Sequence, residues 1–279
     1  MKQQSVKSAA EILQPVKKYV EMCWNSPKRY HIFCLVEGSF DKHIYENRLN
    51  QAMIEVKIAT DDNLQHNRDS VEYLVEDLYK LRPKGRFIGI RDKDYMALLG
   101  CEIKDNIYTT DNRDLEMTIF ASPSFLSSDA SLREYLEEVC PLCLHLAYIR
   151  IFAESKNLRN KVNDKMSITL TYNQQTRKYV ENAKDCLTRT YFEKVDNLSN
   201  EIDLNKFIAD NQLTGYSYYD LCRGHDVVGL MGWVHGNQYH QSEMEKKMEL
   251  HYSSEDFYAT NLFASIQKYC NKYGVDAKN

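Results

Sequence analysis

Short apolar runs of strand length alternate with helical segments between residues 30 and 120, and no other feature constrains the fold as strongly. The helical segments cover 41–53 and 69–81, and a Pro-Lys-Gly sequence at 83–85 breaks the second. The apolar runs are YHIFCLV at 30–36, residues 54–59, RFIGI at 86–90 and the weaker NIYTT at 106–110. Parallel strands need long crossover connections, and these are usually helices. The pattern therefore predicts a small α/β domain with a parallel sheet.

Beyond residue 122 the pattern is mainly helical. We expect helices at 131–156, 176–192, 204–211, 219–235 and 254–273. An amphipathic helix, kinked near Pro15, is predicted for residues 7–24. The predicted division is an α/β domain over residues 1–125, including that first helix, and a helical C-terminal region over 126–279.

Composition narrows the class of protein. The net charge of −4 and the pI of about 6.1 argue against a protein coated in positive charge, but they allow a local basic groove. The 8 cysteines are scattered, which is typical of free thiols in a reducing compartment. The sequence shows no signal-peptide pattern, and no run of uncharged apolar residues approaches the length of a membrane span. We expect a soluble, cytoplasmic protein that does not bind a membrane.

Carboxylates follow two of the predicted strands at the point where each strand ends. Glu37 and Gly38 follow the first, and Asp92 and Asp94 follow the third. Ligands of open parallel sheets collect outside the carboxyl ends of the strands. Residues two apart in an extended segment point the same way, so Asp92 and Asp94 can face one ion. Converging carboxylates repel each other unless a cation neutralises them, and hard oxygen ligands favour Mg²⁺ or Mn²⁺. Such a site suits phosphoryl transfer.

Other readings of these acids stay open. A D-x-D pair is common in loops, and Glu37 can simply lie at a helix N-terminus. Asp41 is more typical of a first-turn acid, although it is kept as a candidate ligand. Asp114 and Glu116 begin a helix after the next strand, where they can either join the metal site or cap the helix.

The segments LVEGSFDKHIY and GIRDKDY resemble the TOPRIM signature of primases, topoisomerases and OLD-type nucleases. The resemblance implies a TOPRIM-like sheet domain with a mainly helical C-terminal half. It also implies acid/base work for Glu37 and metal binding by Asp92 and Asp94. The chain is further similar to TOPRIM-like proteins encoded beside ATPases in bacterial anti-phage operons, among them the tRNA-cleaving toxin of the PARIS system. The TTDNRDLE segment and the Gly-His-Asp sequence at 224–226 fit that family. The resemblance covers residues 30–120 well and the helical half only loosely.

Two further features bear on chemistry. His225 is a candidate for donating to a phosphate or activating water, although a structural histidine is commoner. A basic stretch is the candidate for gripping a phosphate backbone, with a solvated loop as the alternative; it comprises Lys156, Arg159, Lys161, Lys165, Arg177 and Lys178. The Cys-Pro-Leu-Cys sequence at 140–143 has zinc spacing but lacks a second pair, so a buried helix is the better interpretation.

The function expected is a Mg²⁺- or Mn²⁺-dependent endonuclease acting on RNA, with tRNA and a role as a defence toxin implied by the resemblance. The alternatives are another phosphoryl-transfer enzyme, such as a phosphatase or nucleotidyl transferase, and a non-catalytic nucleic-acid-binding subunit of an ATPase complex. The expected partners are the nucleic acid substrate and an ATPase encoded nearby. A homodimer is left open.

Overall fold

A computed structural model describes residues 16–59, 70–96, 98–158, 162–163, 167–195, 203–236 and 239–279. The helices are α1 (Val16–Trp24), α2 (Ser39–Glu46), α3 (Ser70–Leu81), α4 (Leu115–Phe120), α5 (Pro123–Ser127), α6 (Leu132–Ser155), α7 (Ala183–Tyr191), α8 (Leu204–Asp210), α9 (Tyr218–Leu221), α10 (Gly224–His235), α11 (Gln241–His251), α12 (Ser254–Tyr258) and α13 (Asn261–Asn271). The strands are β1 (Ile32–Val36), β2 (Ile54–Ile58), β3 (Phe87–Arg91), β4 (Ile107–Thr109), β5 (Tyr172–Asn173) and β6 (Lys178–Tyr179).

The first four strands form one parallel sheet in the order β2-β1-β3-β4. Every residue of the two central strands, β1 and β3, is buried, whereas β2 alternates between buried and half-buried positions. A continuous apolar run is what a strand covered on both faces requires, and alternation suits an edge strand. The predicted α/β class with a parallel sheet is confirmed.

The chain divides into two compact units. The first contains the described residues up to Lys93 together with Glu102–Asp111 and Ser254–Asn279, and the second contains Asp94–Cys101 and Asn112–Ser253. This division differs from the single boundary predicted near residue 125, because the C-terminal helices belong to the sheet unit. Both side-chain oxygens of Asp111 accept hydrogen bonds at the start of α13, from the backbone N–H groups of Asn261 (2.8 Å) and Leu262 (2.9 Å).

One hydrophobic core of the first unit lies between a face of the sheet and two helices. Apolar residues of α1 and α3, including Val20, Leu74 and Leu78, pack with Phe33 and Phe87 of the central strands. Gly89 in β3 allows the close approach of α3, since a Cβ there would lie 2.5 Å from Val71 Cγ1. The apolar side of the amphipathic helix α3 thus covers one face of the sheet.

The second unit is mostly helical and is organised around α6, whose buried Cys140 and Cys143 are free thiols, as the sequence predicts. The helix predicted from residue 176 begins only at Ala183, because β5 and β6 form a hairpin first and Asn182 adopts a left-handed conformation with φ of 54°. The helix α11 was not predicted, since its apolar periodicity is weak. None of the described helices is long and apolar enough to cross a membrane.

Candidate metal centre

Glu37 and Asp92 lie at the carboxyl ends of the adjacent central strands, directly after β1 and β3. The chain runs from β1 outward to β2 and then returns to the other side of β1 as β3, so the strand order reverses between them. Such a reversal opens a crevice at the carboxyl edge, where α/β proteins bind their ligands. The backbone N–H of Asp92 donates to Glu37 Oε1 at 3.3 Å, so the Glu37 side chain reaches across this crevice.

The turn after β1 is held by Asp41. Its Oδ2 accepts a hydrogen bond from the backbone N–H of Gly38 at 2.8 Å, which fixes the start of α2. A Cβ on Gly38 would lie 3.2 Å from that oxygen, so a larger residue would strain the contact. The structure thus places Asp41 as a first-turn acid that orders the helix start. Since α2 begins at Ser39, its N-terminal N–H groups and helix dipole favour an anion beside Glu37.

The segment after β3 is anchored on both sides of Asp92. Buried Arg91 forms an ion pair with Glu72 Oε1 at 2.5 Å. The backbone N–H of Lys93 donates to Thr110 Oγ1 at 3.0 Å, and Lys93 Nζ donates to the carbonyl oxygen of Asp111 at 3.0 Å. Because both of its neighbours are fixed, the backbone of Asp92 is held in place.

The backbone of Asp94 differs from the extended conformation that the D-x-D argument assumes, whereas its role as a metal ligand stays a prediction. Asp94 lies in the second unit, and its φ of 50° takes the chain out of the extended conformation that ended at Arg91. The rule that residues two apart face the same way therefore does not apply to Asp92 and Asp94. Asp94 Oδ1 pairs with the guanidinium of buried Arg113, and its N–H donates to the Arg113 carbonyl at 3.0 Å.

Arg113 is a buried cation held by its surroundings. Its guanidinium lies 4.3 Å from the ring centroid of Tyr95. Burial acts to lower the pKa of Arg113, but Tyr95 and Asp94 raise the pKa by more, so that it lies above the ordinary value. Sequence reasoning missed this residue; the available signal was a single arginine inside the acidic TTDNRDLE segment.

Asp94→Asn is therefore expected to lower the free energy of unfolding, by about 1–3 kcal/mol, because it removes the counter-charge of a buried arginine. Asparagine accepts a left-handed φ, so the backbone itself should tolerate the change. Urea unfolding of both proteins in metal-free buffer measures the difference. A gain in stability would instead indicate that repulsion between the carboxylates dominates at this position.

The structure places Asp114 as a capping residue in the second unit. One of its carboxylate oxygens accepts from the Met117 N–H at 2.9 Å, and the other accepts from the Gly224 N–H at 2.8 Å. Burial raises the pKa of Asp114 above its ordinary value, although neighbouring Arg113 opposes that shift. Both oxygens are thus used to join the starts of α4 and α10, which favours the capping interpretation over a metal ligand.

The Gly-His-Asp sequence at 224–226 begins α10. Gly224 is required by close packing, since a Cβ there would lie 2.3 Å from the Cβ of half-buried Glu116. His225 is exposed, and Asp226 is buried and paired with Arg150. Two of the three residues are therefore explained by packing and ion pairing. The roles predicted for His225 and Glu116 stay predictions.

The predicted basic stretch lies only partly within the described residues. Arg159, Lys161 and Lys165 fall outside them. Lys156, Arg177 and Lys178 are exposed, the last two in and beside the turn of the β5–β6 hairpin. The rings of Tyr172 and Tyr179 pack against each other across that hairpin at 5.3 Å. Nucleic-acid binding by this stretch remains a prediction.

The side chains of the first unit fit a hard divalent cation by donor type. Among the residues that the structure describes, no three His, Cys, Asp or Glu side chains are gathered closely enough to hold a metal ion. Mg²⁺ does not require such a cage, because it usually keeps several waters and binds one or two carboxylates together with substrate phosphates. Glu37 and Asp92 offer carboxylates of this kind, and metal binding by them stays a prediction.

Comparison with known proteins gives no independent assignment: no family model matches the chain, and no curated protein is significantly similar to it.

Proposed function

We propose that this protein is a divalent-metal-dependent nuclease that cleaves RNA at the carboxyl edge of its parallel sheet, with Glu37 and Asp92 at the reacting centre. The observation that carries the proposal is the hydrogen bond from the Asp92 N–H to Glu37 Oε1 across the point where the strand order reverses. Two carboxylates at this point, beside a helix N-terminus, supply the ligands that phosphoryl transfer requires.

Each group at the carboxyl edge of the sheet has a proposed role in the reaction. Mg²⁺ or Mn²⁺, bound through Asp92 and Glu37, would supply charge neutralisation at the scissile phosphate. The N–H groups at the start of α2 orient a phosphate oxygen beside Glu37. Glu37 acts as the general base that accepts the proton of the attacking water or hydroxyl, and a solvent water on the opposite side of the phosphate protonates the leaving oxygen. The fixed backbone on either side of Asp92 keeps this geometry ordered before substrate arrives.

Asp92→Asn tests the metal part of the proposal. The variant is expected to bind Mn²⁺ about tenfold more weakly or worse, because it replaces a charged ligand by a neutral one at a site whose backbone is already held. Isothermal titration calorimetry with Mn²⁺ measures the affinity, and cleavage of labelled RNA at increasing Mg²⁺ measures the consequence.

Asp105→Asn is the matched control, since Asp105 is an exposed acid of the same unit. If Asp92→Asn binds Mn²⁺ as tightly as the wild-type protein does, and its RNA cleavage depends on Mg²⁺ in the same way, Asp92 is not a metal ligand. If the wild-type protein binds the metal and releases phosphate from a phosphate monoester but does not cleave RNA, the proposed activity would be that of a phosphatase and not of a nuclease. Metal binding with neither activity would leave a non-catalytic binding subunit.

The biological part of the proposal is a toxin of an anti-phage system that a neighbouring ATPase restrains. It is supported by the resemblance of the segments around Glu37 and Asp92 and of the Gly-His-Asp sequence at 224–226. A nuclease sharing a compartment with host RNA has to be restrained by a partner or by a narrow substrate range.

A further inference from the structure

The edge of the sheet opposite Glu37 and Asp92 carries cations and aromatic rings. Three segments of the first unit, 24–30, 82–86 and 268–274, contain lysines and arginines but no Asp or Glu, although the chain as a whole has 40 acidic and 36 basic residues. We call the following set the basic–aromatic edge: Trp24, Arg29, Tyr30, Arg82, Lys84, Arg86, Lys272 and Tyr273.

Arginines and tyrosines alternate in space along this edge. Tyr30 and Arg86 precede the adjacent strands β1 and β3, and the Arg86 Nη1 donates to the Tyr30 carbonyl at 2.7 Å. The Arg86 guanidinium lies 4.3 Å from the ring centroid of Tyr273 and 5.8 Å from that of Tyr30. On Tyr30, the Arg29 guanidinium lies 4.6 Å from the ring centroid. Sheet pairing therefore holds these alternating side chains together.

The same edge extends through the turn after α3. Arg82 lies 5.3 Å from the ring centroid of Trp24, and Lys84 is exposed between Arg82 and Arg86. Both turns that lead into the central strands thus present cations beside aromatic rings. The segments 24–30, 82–86 and 268–274 are distant in sequence, but they form a single surface because they lie near the same edge of the sheet.

The positive charge of this edge is not neutralised locally. Within the described part of the chain, no carboxylate lies within ion-pair distance of Arg29, Lys84 or Arg86, whereas the neighbouring Lys28 is paired with Glu55 at 3.4 Å and is therefore left out of the edge. Tyr30 is 51% exposed and Tyr273 is 37% exposed. Exposed aromatic rings beside arginines are typical of binding surfaces.

We propose that the basic–aromatic edge binds single-stranded nucleic acid, with phosphates on Arg29, Lys84 and Lys272 and bases stacked on Tyr30 and Tyr273. Grooves that bind unpaired strands combine cations for the backbone with aromatic rings for the bases. The exposed rings favour an unpaired strand over a duplex, because unpaired bases can stack on aromatic side chains whereas the bases of a duplex already stack on one another. Tyr30 is separated from Glu37 by roughly 20 Å of extended chain, so this surface grips a strand away from the reacting edge.

The test measures binding alone, so it does not depend on the proposed cleavage. The 279-residue chain carrying Glu37→Gln is titrated into a labelled oligouridylate in buffer with EDTA, and fluorescence anisotropy gives the affinity. Tyr30→Ala and Tyr273→Ala are each expected to weaken binding about tenfold, because each removes one stacking ring. Tyr273→Phe keeps the ring and should keep the affinity. Tyr73→Ala, which removes another exposed tyrosine of the first unit, is the matched control.

Two further measurements test the contribution of the cations and the chemical class of the ligand. Arg29→Gln with Lys84→Gln should flatten the dependence of log affinity on log salt by about 0.7 for each phosphate that the variant no longer binds. Unchanged affinity in both Tyr→Ala variants, with folding confirmed by thermal melting, would overturn the proposal. Equally tight binding of polyglutamate, insensitive to removal of the rings, would also overturn it in favour of an acidic protein partner.

Discussion

Glu37→Gln is expected to lower the rate of metal-dependent RNA cleavage by about 100-fold or more while leaving the fold and RNA binding intact. General acid–base groups contribute roughly 10²–10⁴-fold to rate, and Gln has the size of Glu but cannot accept a proton at neutral pH. The Asp92 N–H can still donate to the amide oxygen of Gln, so the turn after β1 should be preserved. Single-turnover cleavage of labelled RNA in Mg²⁺ measures the rate, and thermal melting verifies the fold.

Glu46→Gln is the matched control, because Glu46 ends the same helix α2 and pairs weakly with Lys42, at 3.5 Å. Wild-type cleavage by Glu37→Gln would exclude Glu37 from proton transfer. The same pair of variants tests the toxin proposal in cells: the wild-type chain expressed alone should slow growth, Glu37→Gln should relieve this, and a neighbouring ATPase should suppress it. Equal growth at matched protein levels would remove the toxin role without affecting the metal-site argument.

Asp226→Asn is expected to lower the free energy of unfolding of the second unit by about 3–5 kcal/mol, because it leaves a buried arginine without its counter-charge. Arg150 and Asp226 are both buried, and the pair is bidentate, with a second hydrogen bond from Arg150 Nη2 to Asp226 Oδ1 at 3.4 Å. Arg150→Met combined with Asp226→Asn should recover part of this loss, since the unpaired charge is then absent.

Urea unfolding followed by circular dichroism measures these differences. Asp210→Asn, which changes an exposed acid of the same unit, should alter stability by no more than about 0.5 kcal/mol. If the double variant were no more stable than Asp226→Asn, the loss would reflect packing around α10, and the ion pair would not be its cause.

The strands of the sheet could be predicted because each strand is marked by a run of apolar residues that are adjacent in sequence. The runs before Glu37 and Asp92 are mainly apolar, and the structure places both as buried central strands whose ends lie within two residues of the predicted ones. The helix predicted over 41–53 ends at Glu46, since apolar residues beyond it pack in turns and helical spacing alone does not mark that end.

The parts that could not be predicted depend on contacts between distant residues or on backbone conformation. Asp111 bonds to Asn261 across 150 positions of sequence, and no local pattern reveals such a partner. The left-handed φ of Asp94 removes the alternation on which the D-x-D prediction relied. In the acidic TTDNRDLE segment, the structure uses Asp111 and Asp114 to cap helices.

Residues 254–279 belong to the first unit, and this affects the order in which that unit folds during synthesis. Asn50 donates from its side chain to the carbonyl of Asp276 across 226 positions, and Tyr258 donates to the carbonyl of Arg48 across 210. Contacts of such separation form late, because a long loop must close first. The ribosome therefore makes β1 and its Glu37 early, but α12 and α13 reach them only when residues 254–279 have emerged. A nascent chain therefore lacks the finished sheet unit until these residues have emerged.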